Sequence, residues 1–189
     1  MKMGTDRIRQ IVLSLRNFSR LDQAEMKAVN IHEGIDSTLL LLQNRCKNQS
    51  SNIEIKIIKE YSNLPLVECY AGQLNQVFMN LLRNAVDSLE ELMETKKQSL
   101  EFIPQMKIMT EEDGEFALIR IAENGMGINA EVQQRLFDPF YTTKEVSKGT
   151  YMGLSISYKI IVEKHNGQLQ CTSEPGNGAE FMISIPLKQ

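Results

Sequence analysis

The sequence predicts an α+β fold in two layers, a mixed sheet of about five strands covered on one face by three helices, with a further helix in front. Three observations carry this expectation. Residues 73 to 90, QLNQVFMNLLRNAVDSLE, repeat Leu74, Val77, Phe78, Leu81, Leu82, Ala85, Val86 and Leu89 at three- and four-residue spacing, which is an amphipathic helix. Residues 105 to 110 and 115 to 122 read as paired strands about the turn Glu-Glu-Asp-Gly at 111 to 114. Residues 167 to 173 and 180 to 186 read as two last strands about Pro-Gly-Asn-Gly at 175 to 178.

The remaining elements follow in order. Over residues 6 to 24, Ile8, Ile11, Val12, Leu15, Phe18 and Leu21 form a narrow stripe near a coiled-coil seam, with arginines outside it, so this helix wants a partner helix. Residues 27 to 31 suit a short strand, and residues 32 to 46 a helix capped by Asn30 with Ile35, Leu39 and Leu42 inward. Residues 52 to 61 alternate as one strand with Ile53, Ile55 and Ile57 on a face. Residues 96 to 105 are polar and end near Pro104, a loop. Residues 130 to 137 suit a short helix, and residues 153 to 164 another, with Gly167 as its stop and His165 at a C-terminus that favours positive charge.

Composition excludes several classes of function. The 189 residues hold 42% hydrophobic and 24% charged side chains, as a globular chain does, and the net charge of −3 provides no field for nucleic acid or an acidic membrane. No apolar run is long enough to span a bilayer, so no membrane contact is expected. The cysteines, Cys46, Cys69 and Cys171, are scattered and odd in number, which suits buried thiols in a reducing cytoplasm. The opening Met-Lys-Met-Gly reads as a truncation, making this a piece of a longer protein.

Asn80 and Asn84 interrupt the apolar logic of the central helix. Four residues apart, they stack one turn above the other, although Asn is a mediocre helix former. Three later segments converge on them. Glu123-Asn124-Gly125-Met126-Gly127-Ile128 follows a strand, with glycines that permit close backbone approach and a carboxylate that can accept from an exocyclic amine. Residues 136 to 144, LFDPFYTTK, lead to Gly149-Thr150-Tyr151-Met152-Gly153-Leu154, which opens a helix and presents N–H groups suited to a polyphosphate. Gly176-Asn177-Gly178-Ala179 is the fourth.

Over residues 30 to 187 these motifs, in this order, resemble the ATP-binding catalytic domain of sensor histidine kinases, in the superfamily that also holds gyrase, the Hsp90 chaperone and the mismatch-repair ATPases. Residues 1 to 29 resemble the second helix of the dimerisation and phosphoacceptor hairpin of the same kinases, with residues 30 to 189 as the catalytic domain. The resemblance implies a Bergerat-type fold that binds ATP and Mg²⁺. It places Asn84 on the metal, Asn80 over the γ-phosphate, Arg83 and Asp87 near phosphate or ribose, and Glu123 at the adenine amine. It places Gly125, Gly127 and Ile128 along the base pocket. Tyr141, Thr142, Thr143, Lys144, Gly149, Thr150, Tyr151, Met152 and Gly153 become the mobile lid over the phosphates, with Leu154 also on the ATP and Phe137 and Phe140 as lid-anchoring, partner-docking or core aromatics. The implied activity is cytoplasmic transfer of the γ-phosphoryl of ATP to a histidine, for relay to a response-regulator receiver domain. The implied assembly is a homodimer through the first helix, and the parent can be a membrane-anchored sensor.

The pattern also departs from the family. Glu123 stands for an Asp, Tyr151 for a Gly in the Gly-Thr-Gly-Leu-Gly-Leu pattern, and Ala179 for a Thr near the adenine. His32, followed by Glu33, lacks the Arg and Pro of a phosphoacceptor box, and it and His165 read as structural, which puts the acceptor on a phosphoacceptor hairpin outside this chain. An amide at position 80, where related ATPases carry a Glu, favours kinase over ATPase chemistry, since a neutral imidazole of pKa about 6.5 already presents a lone pair. Two other readings stay open: a degenerate nucleotide-binding and dimerisation module without kinase activity, and a related Ser protein kinase.

Overall fold

The structure, a computed structural model, describes residues 25–48, 53–95, 102–138 and 153–189. The helix expected over residues 6 to 24 lies outside them. Strand β1 (Lys27–Val29) leads into helix α1 (Ile31–Cys46), whose first turn is capped by the Asn30 side chain accepting from the His32 N–H at 3.0 Å. Two short strands, β2 (Lys47–Asn48) and β3 (Ile53–Glu54), form a ribbon, and β4 (Lys56–Tyr61) follows. The single strand expected over residues 52 to 61 is therefore broken at Ile55, which turns fully inward (3% exposed) as the chain passes from the ribbon to the sheet. Strand β5 (Val67–Cys69) pairs antiparallel with β1. It was missed in the sequence because three residues after Pro65 are too short to show a period.

Helix α2 (Ala71–Thr95) is the long amphipathic element, and Leu74, Val77, Phe78, Leu81, Leu82, Val86 and Leu89 are essentially inaccessible to solvent. The apolar spacing predicts the helix because each of those positions falls on the stripe that packs against the sheet. Strands β6 (Gln105–Asp113) and β7 (Phe116–Glu123) form the expected hairpin. Helix α3 (Ala130–Gln134) is shorter than the span of 130 to 137 expected for it. Its N-cap is Asn129, whose side chain accepts from the Val132 N–H at 2.8 Å.

Helix α4 (Gly153–Lys159) widens into a π-helical turn (Ile160–Lys164), and strands β8 (Gln168–Ser173) and β9 (Ala179–Pro186) complete the fold. The left-handed residue that ends this helix is Asn166, at φ 48°, and not Gly167, whose place is a close approach: a Cβ there would meet the Ser184 carbonyl at 2.3 Å.

The main sheet has five strands in the order β4-β6-β7-β9-β8, antiparallel except for the parallel pair β4 and β6. That pair is joined through β5 and α2, so the long helix is the crossover between neighbouring parallel strands. Met106, Ile108, Ala117, Ile119, Ile121, Phe181, Ile183 and Ile185 alternate onto the buried face. The helices lie over that face, with α1 and α4 both packed against α2. This is the two-layer α+β sandwich expected from the sequence. All three cysteines are free; burial pushes the thiols of Cys69 and Cys171 up to about 12.

Candidate functional site

Asn80 is 8% exposed, and its position follows from what it ties together. Its Nδ2 donates to the Gly153 carbonyl at 2.9 Å and to Ser157 Oγ at 3.2 Å. Ser157 Oγ, fully buried, donates in turn to the same carbonyl at 2.8 Å. The start of α4 is thereby latched onto the middle of α2 by polar bonds in a place that excludes water, where an amide is held rather than merely tolerated. Asn84 is half-buried one turn on, about 6 Å along the axis. Arg83 lies beside the latch, since a Cβ at Gly153 would stand 3.7 Å from its Nη2.

One turn beyond Asn84, Ser88 faces the loop after β7. Its Oγ donates to Glu123 Oε1 at 3.2 Å and accepts from the Met126 N–H at 3.2 Å. Glu123 Oε2 accepts from the Gly125 N–H. Burial pushes the Glu123 carboxyl above the usual range, opposed by hydrogen bonds from the Gly125 N–H, from Ser88 and from the Ala179 N–H. Gly125 leaves room for these bonds: a Cβ would stand 2.3 Å from Ser88 Oγ and 2.4 Å from Glu123 Oε2, and both side chains would have to shift.

Ala179 sits directly across from Glu123 in the ladder between β7 and β9. Gly178, at φ 79°, lets the β8–β9 turn close onto Glu123, whose carbonyl would be 1.9 Å from any Cβ there. Gly127, at φ 71°, and Ile128 follow, with the Ile128 N–H donating to Ser173 Oγ at 2.8 Å. Ser173 Oγ donates on to the Gly178 carbonyl at 2.6 Å, and Gln133 Nε2 reaches the Ile128 and Ser173 carbonyls at 2.9 and 2.7 Å. The glycine loop is thus braced from two sides by side chains that the sequence did not single out.

Along the middle of α2 the structure sets Asn80, Arg83 and Gly153 together one turn before Asn84, and Glu123, Gly125 and Ala179 together near Ser88 one turn after it. Leu154 lies half-buried in the first turn of α4. Asp87 is turned toward α1, where Arg45 Nη2 bonds its carboxylate at 2.7 Å and also bonds Glu90. Phe137 stacks on Tyr158 with centroids 5.3 Å apart. Tyr141, Thr142, Thr143, Lys144, Gly149, Thr150, Tyr151 and Met152, with Phe140, lie outside the described residues. Sequence reasoning missed Ser88, Ser157 and Ser173. Ser88 alone had a readable signal, as the next four-residue step after Asn80 and Asn84.

His165 differs from expectation. It is fully buried and neutral: Nε2 accepts from the Tyr70 N–H at 3.0 Å and Nδ1–H donates to the Ile160 carbonyl at 2.8 Å. Burial, rather than the helix terminus, governs it, and pushes its pKa below the ordinary value. His32 stacks on Tyr61 at 4.3 Å, and its Nε2 meets Thr110 Oγ1 at 2.9 Å.

One helix carries the amides, with a glycine loop bearing a carboxylate on one side and the start of a second helix on the other, and residues 70–189 match the family described as histidine kinase-, DNA gyrase B- and HSP90-like ATPase. The chain belongs to this family. Sporulation kinase E of Bacillus subtilis is 33% identical over 152 residues, 80% of this chain and 18% of that protein. The signal transduction histidine-protein kinase AtoS of Escherichia coli is 30% identical over 183 residues, 96% of this chain and 27% of that protein. The nucleotide-free catalytic domain of the histidine kinase ThkA superposes with a TM-score of 0.70 at 28% identity, covering 87% of this chain and 97% of that one. The chain thus spans 18% and 27% of the length of these two curated relatives. Among the described residues no helix is long and apolar enough to cross a membrane.

Proposed function

We propose that this chain is the ATP-binding catalytic part of a two-component sensor histidine kinase, divided near residue 30 from a dimerising helix. It would move the γ-phosphoryl of Mg-ATP to a histidine on a phosphoacceptor hairpin outside the chain, for relay to a response-regulator receiver domain. The observation that carries this reading is the polar line Asn80, Asn84 and Ser88 along α2, with the glycine loop at one end and the first turn of α4 at the other. The line is about 12 Å long, the scale of an extended nucleotide.

The donor set fits Mg²⁺ that arrives with phosphate. Among the described residues no group of three or more His, Cys, Asp or Glu is clustered to hold a metal by itself, and the Asn84 amide provides one hard neutral oxygen. When bound, the metal would offset charge on the transferring phosphoryl. The Asn80 amide is no base, and its N–H₂ group is committed to Gly153 and Ser157, which favours transfer to an acceptor over activation of water. Neither histidine of this chain suits an acceptor, His165 being sealed in the core and His32 stacked on Tyr61.

One observation favours the degenerate reading: Tyr151 stands where the family pattern has a glycine. Calorimetric titration with Mg-ATP separates the two. Saturable binding that Asn84→Ala weakens at least tenfold in Mg²⁺ but not in EDTA supports the kinase domain; absence of binding that appears only in Tyr151→Gly supports degeneracy. Acid-labile phosphate on a hairpin supplied in trans distinguishes a His kinase from a Ser kinase.

A further inference from the structure

We propose that Ser88 is a positioning residue that sets base selection by fixing the Glu123 carboxylate. The proposal rests on the reading of this cleft as an ATP site. A glutamate at this position is long enough to reach several places, and a carboxylate has about four lone-pair sites. The Gly125 N–H and the Ser88 hydroxyl hold one oxygen each, and Ala179 lies directly across the ladder from Glu123. What remains suits one N–H of an exocyclic amine.

Ser88 holds the loop after β7 at two points, because the oxygen that donates to Glu123 also accepts from the Met126 N–H, and a Cβ on Gly125 between them would stand 2.3 Å from that oxygen. Its place is fixed by α2, whose buried face packs on the sheet, so Ser88 is the rigid partner and the glutamate side chain the one being aimed. Without the hydroxyl, Glu123 retains its bond to Gly125 but gains freedom to swing, and a swinging carboxylate pairs as well with the N1–H of a keto purine as with the amine of adenine.

The test compares ATP with inosine triphosphate, which has a keto oxygen in place of the amine, by calorimetry on the full chain. Ser88→Ala is expected to weaken ATP about 5- to 10-fold, as for the partial loss of one ordinary hydrogen bond when Glu123 is no longer held in place, while inosine triphosphate changes less than twofold. Ser88→Thr, which retains a hydroxyl, is expected to preserve discrimination, and Ser88→Cys to lose most of it. These two variants decide the matter should the alanine variant fail to fold. Equal loss of both nucleotides, or unchanged discrimination in Ser88→Ala and Ser88→Cys, overturns the proposal and leaves the ATP site standing. No saturable ATP binding by the unaltered chain overturns both.

Discussion

Replacing Asn80 with Ala removes two hydrogen bonds donated from a buried amide, to Gly153 and to Ser157. Each is worth about 1 kcal/mol, and the vacated space beside Ser157 adds a cavity term, so a total near 2–3 kcal/mol is expected. For a chain of this size about 2–4 °C accompanies each kcal/mol, which puts the melting temperature roughly 5–10 °C lower without nucleotide. Ser157→Ala alone leaves the Asn80–Gly153 bond and costs about 1 kcal/mol. Because the three groups share one network, the double variant should cost less than the sum, by about 0.5–1 kcal/mol. Asn80→Asp is the sharper variant, since it turns a carboxylate oxygen toward the Gly153 carbonyl. Urea unfolding followed by circular dichroism measures all four. An Asn80→Ala cost below about 0.5 kcal/mol, or strict additivity with Ser157→Ala, would refute the latch.

Three further outcomes follow from the same geometry. Both histidines titrate below the ordinary value of 6.5 in the native state because burial disfavours their charge. The unfolded chain therefore binds protons first on acidification: their contribution to stability is full above about pH 7 and declines as pH falls through 6.5, and His165→Gln should flatten that decline in unfolding measured from pH 7.5 to 5.5. Gly125→Ala pushes the Ser88 hydroxyl and the Glu123 carboxylate aside and breaks the bonds they make, so it should cost about 1 kcal/mol and weaken nucleotide binding; a variant as stable as the parent would contradict the loop geometry. Arg45→Ala, which removes a partly exposed cation from Asp87 and Glu90, should cost only about 1 kcal/mol, and less in high salt.

The parts of the site that were readable in the sequence are those set by local period. Asn80 and Asn84 announce themselves because four residues make one turn, and the apolar stripe around them says which way they lean. The hairpin from Gln105 to Glu123 was readable because alternation and a Gly-bearing turn are also local. What stayed hidden depends on partners distant in the chain. Asp87 faces Arg45 of α1, 42 residues away, and nothing in its own neighbourhood announces that choice. Ser157 reads as an ordinary helix serine until Asn80 meets it. His165 is structural, as its place in the sequence suggests, but the positive charge that a helix end favours is absent because the Tyr70 N–H seals the ring inside the core, where desolvation outweighs a dipole. The break at Ile55 escaped detection because alternation continues through it while the pairing partner changes.

The crossover carried by α2 has a mechanical consequence. Because β4 lines up beside β6 only once the intervening helix has docked, the outermost strand and the amide-bearing helix form one cooperative unit. Amides in β4 should therefore exchange with deuterium no faster than those in the middle of α2. Any force that a ligand exerts on this helix is taken up by the sheet margin, and through the Asn80 bonds it reaches the start of α4 as well.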